Sequence, residues 1–381
     1  MRARLSKSLS FRPTRASVLV IVLVTILFVS TALILFVERA GDDLIIDARE
    51  ATARRLRVEA YSALDVTLAV LEDFRIANGG LRSPAEGWGD PLGFAGWAPA
   101  NGRVAEISFE DESGKISLPQ ADATTLMNLF EAWEISKADA ERLVDALLGW
   151  MKADHVNATA LSPDYERGPL PYRPPHRSLR SYQELAAIEH ARDLFYDDKG
   201  RPNELWRRFV EATSLYDFKQ TNVNGGRGDV LAAFGVGDPA QQRRVADYLR
   251  GTGDRAYSGP GYFETPDQLA ALVGAGALPA GAGTEISALR VNVTIREGRS
   301  EFRVSVVIAP EGGAKAVEPA KNIDPTKEQP ANSSTEGAAG TGTEGEGSSA
   351  AAGKKLRYPF TLLEIRENAE ISAVPPGPTN A

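Results

Sequence analysis

Three histidines, His155, His176 and His190, fall within 36 residues, and Asp154, Asn157, Asp164 and Glu166 lie in the same stretch. Imidazoles and carboxylates grouped this way are the raw material of a metal centre. A zinc hydrolase needs two histidines at ligand spacing on a fixed element, as in H-E-x-x-H, with a third ligand beyond. None of the three histidines has such a partner, and they are set in proline-rich sequence, so surface histidines are the expectation. A hard cation suits the residues better. "KADHVNATALSPDYERG" offers oxygen donors at Asp154, Asn157, Asp164 and Glu166, the ligand type calcium prefers. A solvated acidic loop accounts for the same residues. Other chemistries find less. There is no cysteine, so disulfides, thiolate catalysis and cysteine zinc sites are excluded together. No G-x-S-x-G, phosphate-binding loop or dinucleotide fingerprint occurs in its required setting; "GGRGDVLAAFGVG" is glycine-rich but lacks the lysine and the spacing. The chain is expected not to be an enzyme.

The charge distribution narrows the partners. Formal charge is −8, yet the first 16 residues carry Arg2, Arg4, Lys7, Arg12 and Arg15 and no acid, which leaves −13 on the remainder. Such a surface repels a polyanion, so nucleic acid is not an expected partner. A basic start followed by an uncharged run is the mark of a membrane segment. Residues 16–37 hold no charge and would form a helix of about 33 Å, enough to cross the hydrocarbon core. A secretory signal core is usually about 7–15 residues, so a retained anchor is the expectation over a peptide cut near Ala40. Basic residues before it and Glu38, Asp42 and Asp43 after it put the N-terminus in the cytoplasm.

The elements that position everything else follow from periodicity. Leu56, Ala60, Leu64, Leu68 and Leu71 repeat every three to four residues, one apolar stripe on a helix that Asn78-Gly79-Gly80 ends. A single helix is therefore expected to run from the membrane into a soluble domain, with Gly41 the one place where it could divide. "VAEISFEDESGKISL" reads as a hairpin with its turn at Glu112-Ser113-Gly114. Short capped helices come next: Ser136 precedes "AERLVDALLGWM", Ser181 to Glu184 and Thr265 to Gln268 have the capping-box spacing, and Gly251 closes "PAQQRRVADYLRG". "SYQELAAI" and "TPDQLAALVGAGAL" look like a weak internal repeat. "ALRVNVTIREGRSEFRVSVVIAP" reads as a second hairpin turning at Glu297-Gly298-Arg299, and "LRYPFTLLEIRE" as a last strand. The segment between them is low-complexity and too polar to bury a core.

This order predicts an α+β fold: a long N-terminal transmembrane and amphipathic helix packed on an antiparallel sheet, with a large all-helical domain inserted. The boundaries are a basic leader at 1–16, a transmembrane helix at 17–40, its amphipathic continuation at 41–78 and the first strands at 79–120. The helical insert takes 121–278. The last strands take 284–310 and 356–372, on either side of a low-complexity loop at 311–355.

Four segments in this order, "FEDESGKISL", "LVDALLGWMKAD", "PLPYRPPHRSLRSYQELAAI" and "TNVNGGRGDVLAAF", resemble the type II secretion minor pseudopilin K family, with the likeness running over about residues 18–309. The resemblance implies the pseudopilin fold and a non-enzymatic role at the tip of the pseudopilus, helping to start its assembly and protein export across the outer membrane. It implies a leader cut by the prepilin peptidase between Ala16 and Ser17, with Ser17 the methylated N-terminus. The family usually has glycine where this chain has Ala16. Ile21 stands where most pilins carry glutamate, a departure shared with K subunits. Implied partners are the I- and J-type minor pseudopilins, the major pseudopilin, the inner-membrane assembly platform and membrane lipid, with the bulk of the chain periplasmic. The family binds calcium in its helical domain, with aspartates where this chain has Lys152 and His155, so calcium is the candidate cofactor and its site is expected to be weakened. The helical pairs also resemble helix-hairpin-helix modules, and a membrane-anchored DNA receptor for competence is the alternative. The absence of a basic cluster beside Gly274 or Gly276 counts against it.

Overall fold

A computed structural model describes residues 16–100, 102–159, 165, 171–252, 261–274, 278, 281–317 and 359–368, the side chains of residues 16 and 17 excepted. The apolar run and the amphipathic stripe are one helix, α1 (Ala16–Asn78), of 63 residues. It passes through Gly41 without a break and ends where Gly79 takes a left-handed conformation. Two short elements follow: a 3₁₀ turn at Pro84–Glu86 and α2 (Pro91–Ala95). Then come β1 (Arg103–Asp111), β2 (Ile116–Ser117), α3 (Ala123–Ala132), α4 (Lys137–Met151), α5 (Glu189–Phe195) and α6 (Glu204–Ala212). The chain continues through β3 (Thr213–Ser214), β4 (Thr221–Asn222), α7 (Gly228–Ala233), α8 (Pro239–Arg250), α9 (Pro266–Val273) and β5 (Ala282–Gly283). It closes with β6 (Leu289–Glu297), β7 (Ser300–Ala309) and β8 (Thr361–Glu367).

Four strands in the order β1-β6-β7-β8, all antiparallel, make the sheet. Its two faces differ because strand side chains alternate. On one face Val291, Val293 and Ile295 of β6 and Val304, Val306 and Ile308 of β7 are buried against Leu56, Ala60, Ala63, Leu64, Leu68 and Leu71 of α1. The other face carries Arg290, Asn292 and Ser305 toward the helical insert. The β8 end is tied back to the helix: Glu367 accepts hydrogen bonds from Arg57 (2.7 Å) and Tyr61 (2.6 Å).

The insert has its own core, in which Leu126, Phe130, Leu143, Leu147, Phe195 and Phe209 are fully buried. Ser136 caps α4 as its spacing predicts, accepting from the Asp139 amide, and Gly251 closes α8 in the left-handed conformation.

Several sequence expectations are corrected. The first hairpin does not form. The 3₁₀ turn at Glu112–Gly114 is held by the sheet and the insert, β2 pairs parallel with β3, and β1 finds its partner in β6. The supposed repeat is not a structural one, because Tyr182–Ala187 is a 3₁₀ helix whereas α9 is α-helical. Neither capping box closes fully. Glu184 accepts from the Arg180 amide, not that of Ser181, and Gln268 from Glu264, while Thr265 makes no side-chain cap. The sheet region also extends past residue 310, for Ala314 is buried and Lys315 bridges Asp217. Residues 318–358, the bulk of the segment read as low-complexity, lie outside the described residues.

Candidate functional site

The seam between sheet and insert is built by residues far apart in sequence. Asp111, the last residue of β1, accepts from Ser113 Oγ (2.6 Å) and from Asn222 Nδ2 (2.7 Å). Asn222 is fully buried, and the same amide nitrogen also donates to the Arg82 carbonyl at 2.9 Å. Asn224 extends the connection, donating to the Phe263 and Thr284 carbonyls (3.0 and 3.1 Å) and accepting from the Phe263 amide at 2.7 Å. From the sheet side, the Ser287 amide donates to Ser113 Oγ and the Ser113 amide to the Ala288 carbonyl. Two glycines make the approach possible. A Cβ on Gly114 would lie 2.7 Å from the Gly225 backbone, and one on Gly225 would lie 2.3 Å from Asp111 Oδ2. Burial pushes the Asp111 carboxyl up to about 7, against bonds from Ser113 and Asn222 that favour the charged form. A cavity of about 280 Å³ sits beside this clasp, lined in part by Arg82, Trp88, Asp111 and Arg227.

Between the insert and the sheet face that carries Arg290 and Ser305 lies a wider groove of about 690 Å³, bordered by Tyr182, Trp206, Tyr216 and Asn292. Its charges are mutually satisfied. Arg290 pairs with Glu112 (2.7 Å) and Glu364 (3.3 Å), Lys115 with Glu110 (2.7 Å) and Glu112 (3.1 Å), and Tyr216 donates to Glu364 at 2.9 Å. Such a network positions the two domains.

The residues expected to hold calcium are placed as follows. Asp154 stands exposed on a turn after α4, and Asn157 is half-buried. Asp164 and Glu166 lie outside the described residues. His155 turns inward to Asp145, His190 lies at the Asp139 carbonyl, and His176 is exposed, so the histidines do not meet. Among the described residues no three His, Asp or Glu side chains converge as a metal set. Lys152 does not enter the loop, since its ammonium donates to the Ala121 carbonyl at 2.8 Å.

The residue that sequence reasoning missed is Asp145. Buried in α4, it accepts from His155 Nε2 (2.9 Å), the amides of Ala158 (3.0 Å) and Thr159 (2.7 Å), and Thr159 Oγ1 (2.7 Å). Burial alone would raise its pKa, and the bonds from Thr159, Ala158 and His155 outweigh that and hold it below the ordinary carboxylate value. An acid on the apolar side of an amphipathic helix, between Val144 and Ala146, was the available signal. At the other end of the chain, α1 begins at Ala16, so the expected cleavage bond Ala16–Ser17 falls at the first turn of the helix.

A membrane-length helix lying on an antiparallel sheet, with a helical domain clasped to the sheet, is the α+β architecture expected from the sequence. Residues 108–198 match the family model described as Type II secretion system (T2SS), protein K. The match holds the Asp111 side of the clasp, the Asp145 helix and the loop after it, and so bears out the resemblance drawn from the sequence. No curated protein matches the chain. Among solved structures it is similar to a chain in the crystal structure of the GspK-GspI-GspJ complex from the enterotoxigenic Escherichia coli type 2 secretion system. The TM-score is 0.46 at 14% identity, covering 69% of this chain and 93% of that one.

Proposed function

We propose that this chain is a minor pseudopilin that works without catalysis at the tip of the type II secretion pseudopilus, where it helps to initiate assembly and so export across the outer membrane. The observation that carries the reading is the rigid attachment of the insert. The clasp and the Arg290 network join a bulky helical domain to a sheet that already has its helix and its own core. A shaft subunit must leave room for an identical neighbour above it, because heterologous stacking continues until something blocks it. A domain fixed in this way is a block. Ile21, exposed on α1, offers no carboxylate to pair with the N-terminus of an overlying subunit.

In this reading the prepilin peptidase cuts the Ala16–Ser17 bond, Ser17 becomes the methylated N-terminus, and residues 17–40 stay in the bacterial inner membrane with the bulk in the periplasm. The partners are the I- and J-type minor pseudopilins, the major pseudopilin and the inner-membrane assembly platform. Copurification tests it. The full chain, solubilised in detergent, is expected to carry I- and J-type subunits with it in fixed ratio. Recovery of the chain alone, under conditions that preserve an I–J pair, would overturn the assignment.

A further inference from the structure

We infer that the loop following α4 is held by Asp145 through direct hydrogen bonds in place of a calcium ion, so that the insert of this chain folds independently of calcium. The loop closes on one carboxylate. Oδ1 takes His155 Nε2 and the Ala158 amide; Oδ2 takes the amide and the hydroxyl of Thr159. An ionised carboxylate has about four acceptor positions, and here all four are filled by protein donors. Asp145 is 3% exposed and lies in the last two turns of α4, where the helix dipole disfavours a negative charge. A buried charge in that position needs full compensation, and the loop supplies it.

Calcium requires six to eight oxygens in one shell. In the described part of this loop the buried acid is spent on N–H and O–H donors, and Asp154 is turned to solvent. The two residues that replace acids of the family pattern each have a structural task. Lys152 fastens the end of α4 to the Ala121 carbonyl. His155 packs along α4 at Gly149, where an added Cβ would come within 3.9 Å of its ring, and reaches Asp145. His155, one of the two residues that would weaken a calcium site, is thus part of the clasp that replaces it.

The test is thermal unfolding of the full chain in detergent, with millimolar calcium and with a chelator, together with limited proteolysis of the loop at 152–159. The wild type is expected to melt within about 1 °C in both conditions. Asp145→Asn is expected to lose about 4–8 °C, because the new NH₂ faces the Thr159 donors, and to be cut faster in the loop, with no rescue by calcium. If Asp145→Asn fails to fold, Thr159→Ala, which removes one donor and leaves the rest, is expected to show a smaller drop of the same kind. A rise of several degrees on adding calcium to the wild type would overturn the inference. So would an unchanged melting temperature and cleavage rate in both variants.

Discussion

Gly225→Ala isolates the clasp between sheet and insert. Gly225 has no positive φ, so alanine suits its backbone, and the new methyl carries the whole cost. That methyl would lie 2.3 Å from Asp111 Oδ2 and 2.8 Å from both Cβ and Cγ of the same residue. Ordinary contact begins near 3.4 Å, so the carboxylate must withdraw by about 1 Å, and its 2.7 Å bond from Asn222 cannot survive the move. At pH 8, above the Asp111 pKa of about 7, the group is ionised; a bond to a buried charged group contributes about 1.5–3 kcal/mol, and strain adds to it. The gain from a stiffer unfolded chain, about 0.4–1 kcal/mol, offsets part. The net expectation is a loss of about 2–4 kcal/mol, or about 5–12 °C in melting temperature for a unit of this size. The assay is denaturant unfolding of the full chain in detergent, run as a double-mutant cycle with Asp111→Ala. With Asp111 truncated, Gly225→Ala should cost little, giving a coupling energy above about 1.5 kcal/mol. Gly237→Ala, which meets nothing within 4 Å, is the neutral control. A cost below about 0.5 kcal/mol, or one unaltered by the Asp111 truncation, would refute the reasoning.

Asp111 has a folded-state pKa of about 7, above its unfolded value near 3.9, so its contribution is fully present at low pH and is lost as pH rises toward 7. The wild type should therefore melt lower at pH 7.5 than at pH 5, by no more than about 1.4 kcal/mol per unit, and Asp111→Asn should flatten that slope in a pH-melting series. Glu364, Glu367 and Asp145 are held low, and their contributions are lost only below about pH 4.5, outside that window. Leu71→Ala, fully buried between α1 and the sheet, should cost about 2–5 kcal/mol in chemical denaturation, whereas Val58→Ala on the exposed side of the same helix should stay within about 0.5. Mass spectrometry of the mature protein should find Ser17 at the N-terminus, and Ala16→Leu should leave the leader attached by overfilling a small-residue pocket; an intact Met1, or a start after Ala40, would contradict the processing.

Local pattern made much of this molecule legible. The stripe from Leu56 to Leu71 marked the buried face of α1, and alternation along "ALRVNVTIREGRSEFRVSVVIAP" gave β6, its turn and β7, because each signal lies within one element or one hairpin. What escaped was non-local. β1 pairs with a strand some 180 residues later, and nothing in "VAEISFEDESGKISL" shows that its turn is captured by Ser287, Ala288 and Gly225. "TNVNGG" was visible as polar, glycine-rich sequence, but its task depends on Asp111, 111 residues upstream. The loop after α4 carries its own acids, yet the residue that orders its described part sits back in the helix, one polar position in an apolar run.

The central claim is placement at the tip, and imaging of assembled filaments tests it most directly. Pseudopili would be assembled with a gold-tagged copy of this chain, carrying the tag within residues 320–352, and viewed by electron microscopy. The account predicts one label per filament, at the end distal to the membrane, and a sharp fall in filament number when the chain is absent. Labels repeating along the shaft, or filaments starting at normal frequency without the chain, would contradict it.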